Sequence, residues 1–217
     1  MMIRFDQVSK RYPGGFEALS QVNFCLQKGE MVFLTGHSGA GKTTFLKLIA
    51  MLELPSSGQL IVNNVRLNQL KKHDIAVHRS SLGITFQSPH LLNDRTVFDN
   101  VALPLQIQGM TPVMLAKRVH AALDMVGLLA KEKMLPAHLS AGEQQRVGIA
   151  RAVVHKPSLL LADEPTGNLD PSLSTEIMKL FEQFNQVGVS ILIATHDLAL
   201  IARMKHRIVM LKGGRVC

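Results

Sequence analysis

The chain has 217 residues, with 24 Lys or Arg against 16 Asp or Glu and a formal net charge of +8, and its 47% hydrophobic content supplies a core and excludes intrinsic disorder. The longest uncharged stretch, Val101 to Ala116, is interrupted by Pro104, Gly109 and Pro112 and falls short of the roughly 20 predominantly apolar residues of a membrane span, so no transmembrane helix is expected. The opening MMIRFDQ places Arg4 and Asp6 where a signal peptide needs an apolar run, so the chain is expected to stay in the cytoplasm. Cys25 and Cys217 are too few for a disulfide framework and form no zinc-type cluster; they read as a buried strand thiol and a terminal one. The basic charge admits nucleic acid, an anionic membrane face or a polyphosphate as partner. Aromatic residues are only 5% and are not interleaved with basic ones, so nucleic acid is not expected.

Residues 2–8 (Ile3, Phe5, Val8) and 18–26 (Leu19, Val22, Phe24, Leu26) mix apolar and polar positions as half-exposed strands of an antiparallel sheet do, with KRYPGG as a turn between them. Met31 to Leu34 is continuously apolar, ends in a glycine-rich loop and runs into helix-compatible Thr44 to Ile49, which predicts a buried parallel strand feeding a helix. From Thr96 to Val154 the pattern is helical: Thr111 as cap, Pro112 in the first turn, Leu115, Val119, Ala122, Leu123 and Val126 on one face, and Gly127 as the stop. A helical subdomain inserted at about residues 88–157 of a single domain, 1–217, is expected. Leu159 to Ala162 and Ser190 to Ala194 read as further buried strands whose carboxyl ends carry polar groups, the edge at which open parallel sheets bind ligands. Arg203, Lys205, Arg207 and Lys212 read as a solvated face.

Gly36, His37, Ser38, Gly39, Ala40, Gly41, Lys42 and Thr43 match GxxxxGK[ST] between the predicted strand and helix, the context a phosphate loop requires; Thr44 extends the set. Glycines let successive N–H groups turn toward a β-phosphate, Lys42 reaches the β/γ-phosphates and the Thr43 hydroxyl suits Mg²⁺. The apolar strand before Asp163 and Glu164 delivers two carboxylates to opposite sides, since side chains alternate along a strand. Asp163 fits a Mg²⁺ position, and Glu164 a group that orients or deprotonates a water aimed at the γ-phosphate. The fold expected is therefore α/β: a P-loop NTPase, RecA-like and mostly parallel, with an N-terminal antiparallel β subdomain and the helical insert.

Leu139-Ser140-Ala141-Gly142-Glu143-Gln144-Gln145-Arg146, between the phosphate loop and LLLADEPTGNLD, resembles the signature of the ATP-binding cassette ATPases, and the similarity covers essentially the whole chain. Tyr12, Gln87, Asn168-Leu169-Asp170 and His196 fall in the order of that family's further landmarks. The resemblance implies Tyr12 stacked on adenine, Gln87 as a Mg²⁺ ligand and catalytic residue, and His196 at the γ-phosphate. It further implies a head-to-tail homodimer closed by ATP, in which Ser140, Gly142 and Glu143 of one chain face the γ-phosphate held by the other. Two positions depart from LSGGQ: Ala141 replaces a glycine and Glu143 a glutamine. A methyl at 141 is tolerable only at negative φ.

With no span of its own, a transporter-type member requires a separate integral membrane subunit. GHSGAGKTT, HLLNDRTVFDNVALPL, GEQQRVGIARAVV and FNQVGVSILIATHD are most similar to the cell-division branch, with lipoprotein-releasing and macrolide-export ATPases as neighbours. That implies an ATPase peripheral to the inner face of the cell membrane. Residues from Ser88 to Leu105 follow Gln87 directly, and His90, Leu91, Leu92 and Phe98 there are expected to offer an exposed apolar surface to that subunit. A DNA-associated cassette ATPase and a P-loop GTPase or kinase are the weaker alternatives. The first lacks the zinc-binding insertions or coiled coils of such relatives, and a GTPase should carry an NKxD motif, which is absent.

Overall fold

Ile3, Phe5 and Val8 are buried while Arg4, Gln7 and Arg11 face solvent, which makes β1 (Ile3–Arg11) a strand with one wet face. In the computed structural model, which describes residues 1–167 and 169–217, β1 is followed by β2 (Glu17–Leu26), β3 (Met31–Thr35), α1 (Lys42–Ile49), β4 (Ser57–Val62), β5 (Val65–Arg66) and α2 (Lys72–Ser80). Then come β6 (Leu82–Thr85), α3 (Val97–Ile107), α4 (Pro112–Met125), α5 (Ala141–Val153), β7 (Leu159–Asp163) and α6 (Pro171–Gln186). The chain closes with β8 (Ser190–Ala194), α7 (Leu198–Arg203), β9 (Arg207–Lys212) and β10 (Arg215–Val216). Asn168 lies outside the described residues. Two compact units result, Met1–Arg79 with Asn185–Cys217, and Ser80–Phe184.

In the first unit β2, β1, β4 and β5 form an antiparallel sheet, the expected N-terminal subdomain. Its buried face meets α1 through three rings: Phe45 stacks on Phe5 at 4.1 Å, and Phe24 stands edge-on to Phe45 at 5.2 Å. Beside it β3 pairs in parallel with β8 and β9. All five residues of β3 and of β8 are buried, which is why both read as unbroken apolar runs. The last carbonyls of α1 are capped from α2, where His78 Nε2 donates to Ile49 O at 2.8 Å and Arg79 to Met51 O at 2.5 Å. Arg203, Lys205, Arg207 and Lys212 are exposed, as expected of a solvated face. Cys25 is only half-buried on β2, so the expectation of a buried thiol there does not hold; Cys217 is exposed.

The second unit packs α3, α4 and α5 around Val97, Val101, Leu105, Val119, Leu123 and Val147. Thr111 stands at the N-cap of α4 but its hydroxyl makes no cap bond, so Pro112 and the buried stripe define that start. Leu91 and Phe98 pack against this core, which corrects the expectation of an exposed apolar surface; of that set His90 and Leu92 are exposed. In the same unit β6 pairs in parallel with β7. Gly83 lets β6 approach α5: a Cβ there would stand 2.5 Å from the Ala152 carbonyl oxygen. Backbone cannot give way, so Gly83→Ala is expected to cost about 1–3 kcal/mol in urea unfolding.

Candidate functional site

The phosphate-loop residues leave the buried end of β3 and turn sharply at two glycines that nothing else can replace. Gly36 has φ 155° and a Cβ there would lie 2.3 Å from Leu211 O; Gly41, the N-cap of α1, has φ 104° and a Cβ there would lie 2.5 Å from Ala18 O. Between them His37, Ser38 and Gly39 are exposed and Ala40 is buried, its N–H donating to His37 O at 3.1 Å. Lys42 is buried, 8% exposed, yet fully engaged: Nζ donates to Gly36 O at 2.8 Å and to His37 O at 3.3 Å. The cation thus lies across the loop it belongs to, and an incoming phosphate takes over a charge that is already positioned. The helix N-terminus behind the loop adds N–H groups and a positive dipole end.

Tyr12 sits half-buried at the end of β1 with its hydroxyl 3.4 Å from Thr44 Oγ1, and Lys10 Nζ lies 4.9 Å from its ring centre. Lys10 is itself held by Glu53 at 2.8 Å. His196 is exposed two residues beyond β8, after Thr195, whose N–H donates to Leu34 O at 3.0 Å. Asp197 beyond it caps α7, accepting from Leu200 N–H at 2.9 Å. Within the first unit, therefore, Tyr12 reaches Thr44, and the phosphate loop and His196 both leave the carboxyl edge of neighbouring parallel strands. Thr43 is exposed in the first turn of α1.

In the second unit Thr85 is paired with Ala162, so Gln87 and the pair Asp163-Glu164 leave a second carboxyl edge together. Asp163 is buried and Glu164 half-buried. Glu164 has φ 47°, a left-handed backbone that costs a residue with a Cβ roughly 1–2 kcal/mol, and the turn it starts closes with Gly167 N–H donating to Glu164 O at 3.1 Å. Gly167 is where the Gln87 side chain lies: a Cβ there would meet Gln87 Nε2 at 2.9 Å. A carboxylate, an amide oxygen and a hydroxyl are donor types that a Mg²⁺ takes while keeping waters and substrate phosphate oxygens; Asp163 and Gln87 in this unit carry the first two and Thr43 in the first unit the third.

Ser140 caps α5, and a capping box ties it to Glu143: Ser140 Oγ accepts from Glu143 N–H at 3.3 Å, and the Glu143 carboxylate accepts from Ser140 N–H at 3.0 Å and from its hydroxyl at 3.2 Å. The other Glu143 oxygen pairs with Lys131 Nζ at 2.5 Å. That ammonium, and then the Ser140 N–H, hold the Glu143 carboxyl below the usual range. Ala141 has negative φ, so the methyl that replaces the signature glycine is accommodated. Gly142 is buried beneath α6, where a Cβ would meet Leu173 Cδ2 at 2.0 Å. Asp170, another landmark, receives Ser172 N–H and Leu173 N–H, each at 3.0 Å, and the Ser172 hydroxyl at 2.6 Å as α6 begins.

Sequence reasoning missed how the segment after Gln87 is held. Gln145 of α5 donates to Phe86 O at 3.2 Å, Arg151 donates to His90 O at 3.1 Å and to Pro89 O, and Gly148 leaves room for Pro89. Asn100, fully buried on α3, receives Leu92 N–H at 2.8 Å and donates to the carbonyls of Leu92, Arg95 and Thr96. The signature helix and the Gln87 segment are thereby one hydrogen-bonded piece. The partners are carbonyls, which leave no trace in a sequence.

A profile of the family described as "ABC transporter" matches residues 19–167. The cell division ATP-binding protein FtsE of Escherichia coli (strain K12) is 56% identical over 99% of this chain and 97% of its own length, and FtsE of Bacillus subtilis (strain 168) is 43% identical over 98% and 93%. Among solved structures, the dimeric post-hydrolysis state of the ATP-binding cassette MJ0796 bound to ADP and Pi superposes with a TM-score of 0.91 at 35% identity, over 99% of this chain and 96% of that one. No described helix is long and apolar enough to cross a membrane. With the phosphate loop, the signature cap and the two acids arranged as above, the chain belongs to the ABC transporter family, as an ATPase domain of that family.

Proposed function

We propose that this chain is the ATP-hydrolysing subunit of a membrane-associated complex in bacterial cell division, working as an ATP-closed homodimer beside an FtsX-like integral membrane subunit on the cytoplasmic face. The observation that carries this reading is the 56% identity to E. coli FtsE along nearly the full length of both chains. The dimeric MJ0796 cassette with ADP and Pi supports the dimer. ATP enters the phosphate loop with Lys42 on the β/γ-phosphates and Tyr12 against the base; Thr43, Gln87 and Asp163 would hold Mg²⁺, which when bound would neutralise phosphate charge. Glu164 orients the water and receives its proton, Gln87 and His196 attend the γ-phosphate, and Ser140 and Gly142 of the second copy close over it, with Glu143 behind them holding Ser140 in the capping box.

Mixing Lys42→Ala chains with Ser140→Arg chains tests the arrangement, because only the heterodimer contains one intact composite site. Crosslinked heterodimers are expected to close on ATP where neither parent homodimer does; closure no better than the parents' overturns the head-to-tail reading. The cell-division assignment is tested in the source organism, where Lys42→Ala in place of the wild type is expected to impair septation. Normal division with a dead ATPase overturns it.

A further inference from the structure

Glu143 introduces a conflict that a glutamine would not. Its carboxylate at the third position of α5 stabilises the helix start through the capping box and the dipole. The same charge opposes any second anion arriving at those N–H groups, and the Ser140 hydroxyl already donates to it at 3.2 Å. Among the described residues the cation that meets this charge is Lys131, at the end of the short 3-10 turn Leu129–Lys131, outside α5 and 12 residues from Glu143 in sequence, whose Nζ lies 2.5 Å from Oε1. Glu132, next to it in sequence, turns a carboxylate oxygen to within 2.9 Å of His120 Nε2.

We infer that Lys131 is a positioning residue of the ATPase cycle, cancelling the Glu143 charge so that the start of α5 can receive the γ-phosphate of an ATP held by a second copy of the chain. The inference rests on the head-to-tail reading above. A glutamate carboxyl is already ionised at neutral pH, and Lys131 and the Ser140 N–H shift this one further in the same direction. The Lys131 side chain is 40% exposed and that of Glu143 16%, so the pair adds little to folding stability and its loss should be felt by the arriving phosphate rather than by the fold.

The test is sedimentation of the full chain with increasing amounts of a non-hydrolysable ATP analogue, for wild type, Lys131→Ala, Lys131→Ala with Glu143→Gln, and Ser140→Arg, with thermal melts as the folding check. Lys131→Ala is expected to raise the analogue concentration that gives half-maximal dimer about tenfold, equivalent to about 1.4 kcal/mol. Removing the charge in the double variant is expected to bring it back to within about twofold of wild type, a rescue that a merely structural lysine would not show. If Ser140→Arg blocks dimerisation but Lys131→Ala behaves as wild type, or if the double variant stays as weak as Lys131→Ala, the role of Lys131 is overturned alone. If Ser140→Arg dimerises normally, the head-to-tail reading falls and this inference with it.

Discussion

Lys42→Ala is expected to lower ATP affinity by about 100-fold or more while leaving a folded protein. A charge-assisted hydrogen bond contributes about 1.5–3 kcal/mol, and losing contacts to two phosphates at the lower end is already about 3 kcal/mol, or roughly two decades of affinity. The same ammonium donates to Gly36 O and His37 O, so the substitution also loosens the loop. That second effect is the smaller one: neutral acceptors at a loop edge recover water, and the glycines at 36 and 41 still fix the turn through their contacts with Leu211 O and Ala18 O. Fluorescent-ATP titration and urea unfolding separate the two. Near-wild-type affinity in a folded variant refutes the phosphate-loop assignment.

What could be read in the sequence was whatever a short window encodes. The buried runs of β3, β7 and β8, the alternation in β1, the stripe of α4 and the phosphate loop each carry a periodicity or a spacing, and each stands where its pattern put it. Gly142 was legible as a signature residue but not as the seat of Leu173, because that contact joins α5 to α6 across the intervening strand β7. No short window links Lys131 to Glu143, or Arg151 to the carbonyls of Pro89 and His90; only folding brings them together. The apolar look of Leu91 and Phe98 misled for a related reason. Composition cannot distinguish a side chain that waits for a partner from one that finishes its own core.

The backbone at Glu164 was equally invisible, and it sharpens the test of that residue. A glutamate held at φ 47° is less stable there than a glycine, so the fold keeps a carboxylate where conformation alone would prefer none. Glu164→Gln preserves shape and strain and removes only the charge; it is expected to reduce turnover by about 10²–10⁴ while ATP stays bound, and so to accumulate the closed dimer in ATP and Mg²⁺. Glu164→Gly is expected to lose turnover as well. Its stability should remain within about 1 kcal/mol of wild type, since relief of the left-handed strain offsets the greater chain entropy that glycine loses on folding. Size-exclusion chromatography with radiolabelled ATP detects the trapped dimer, and urea unfolding reads the strain. Wild-type hydrolysis by Glu164→Gln would mean that another group orients the water, and a Glu164→Gly variant weakened by several kcal/mol would mean that the side chain's contacts, not the reaction, keep glutamate at this turn.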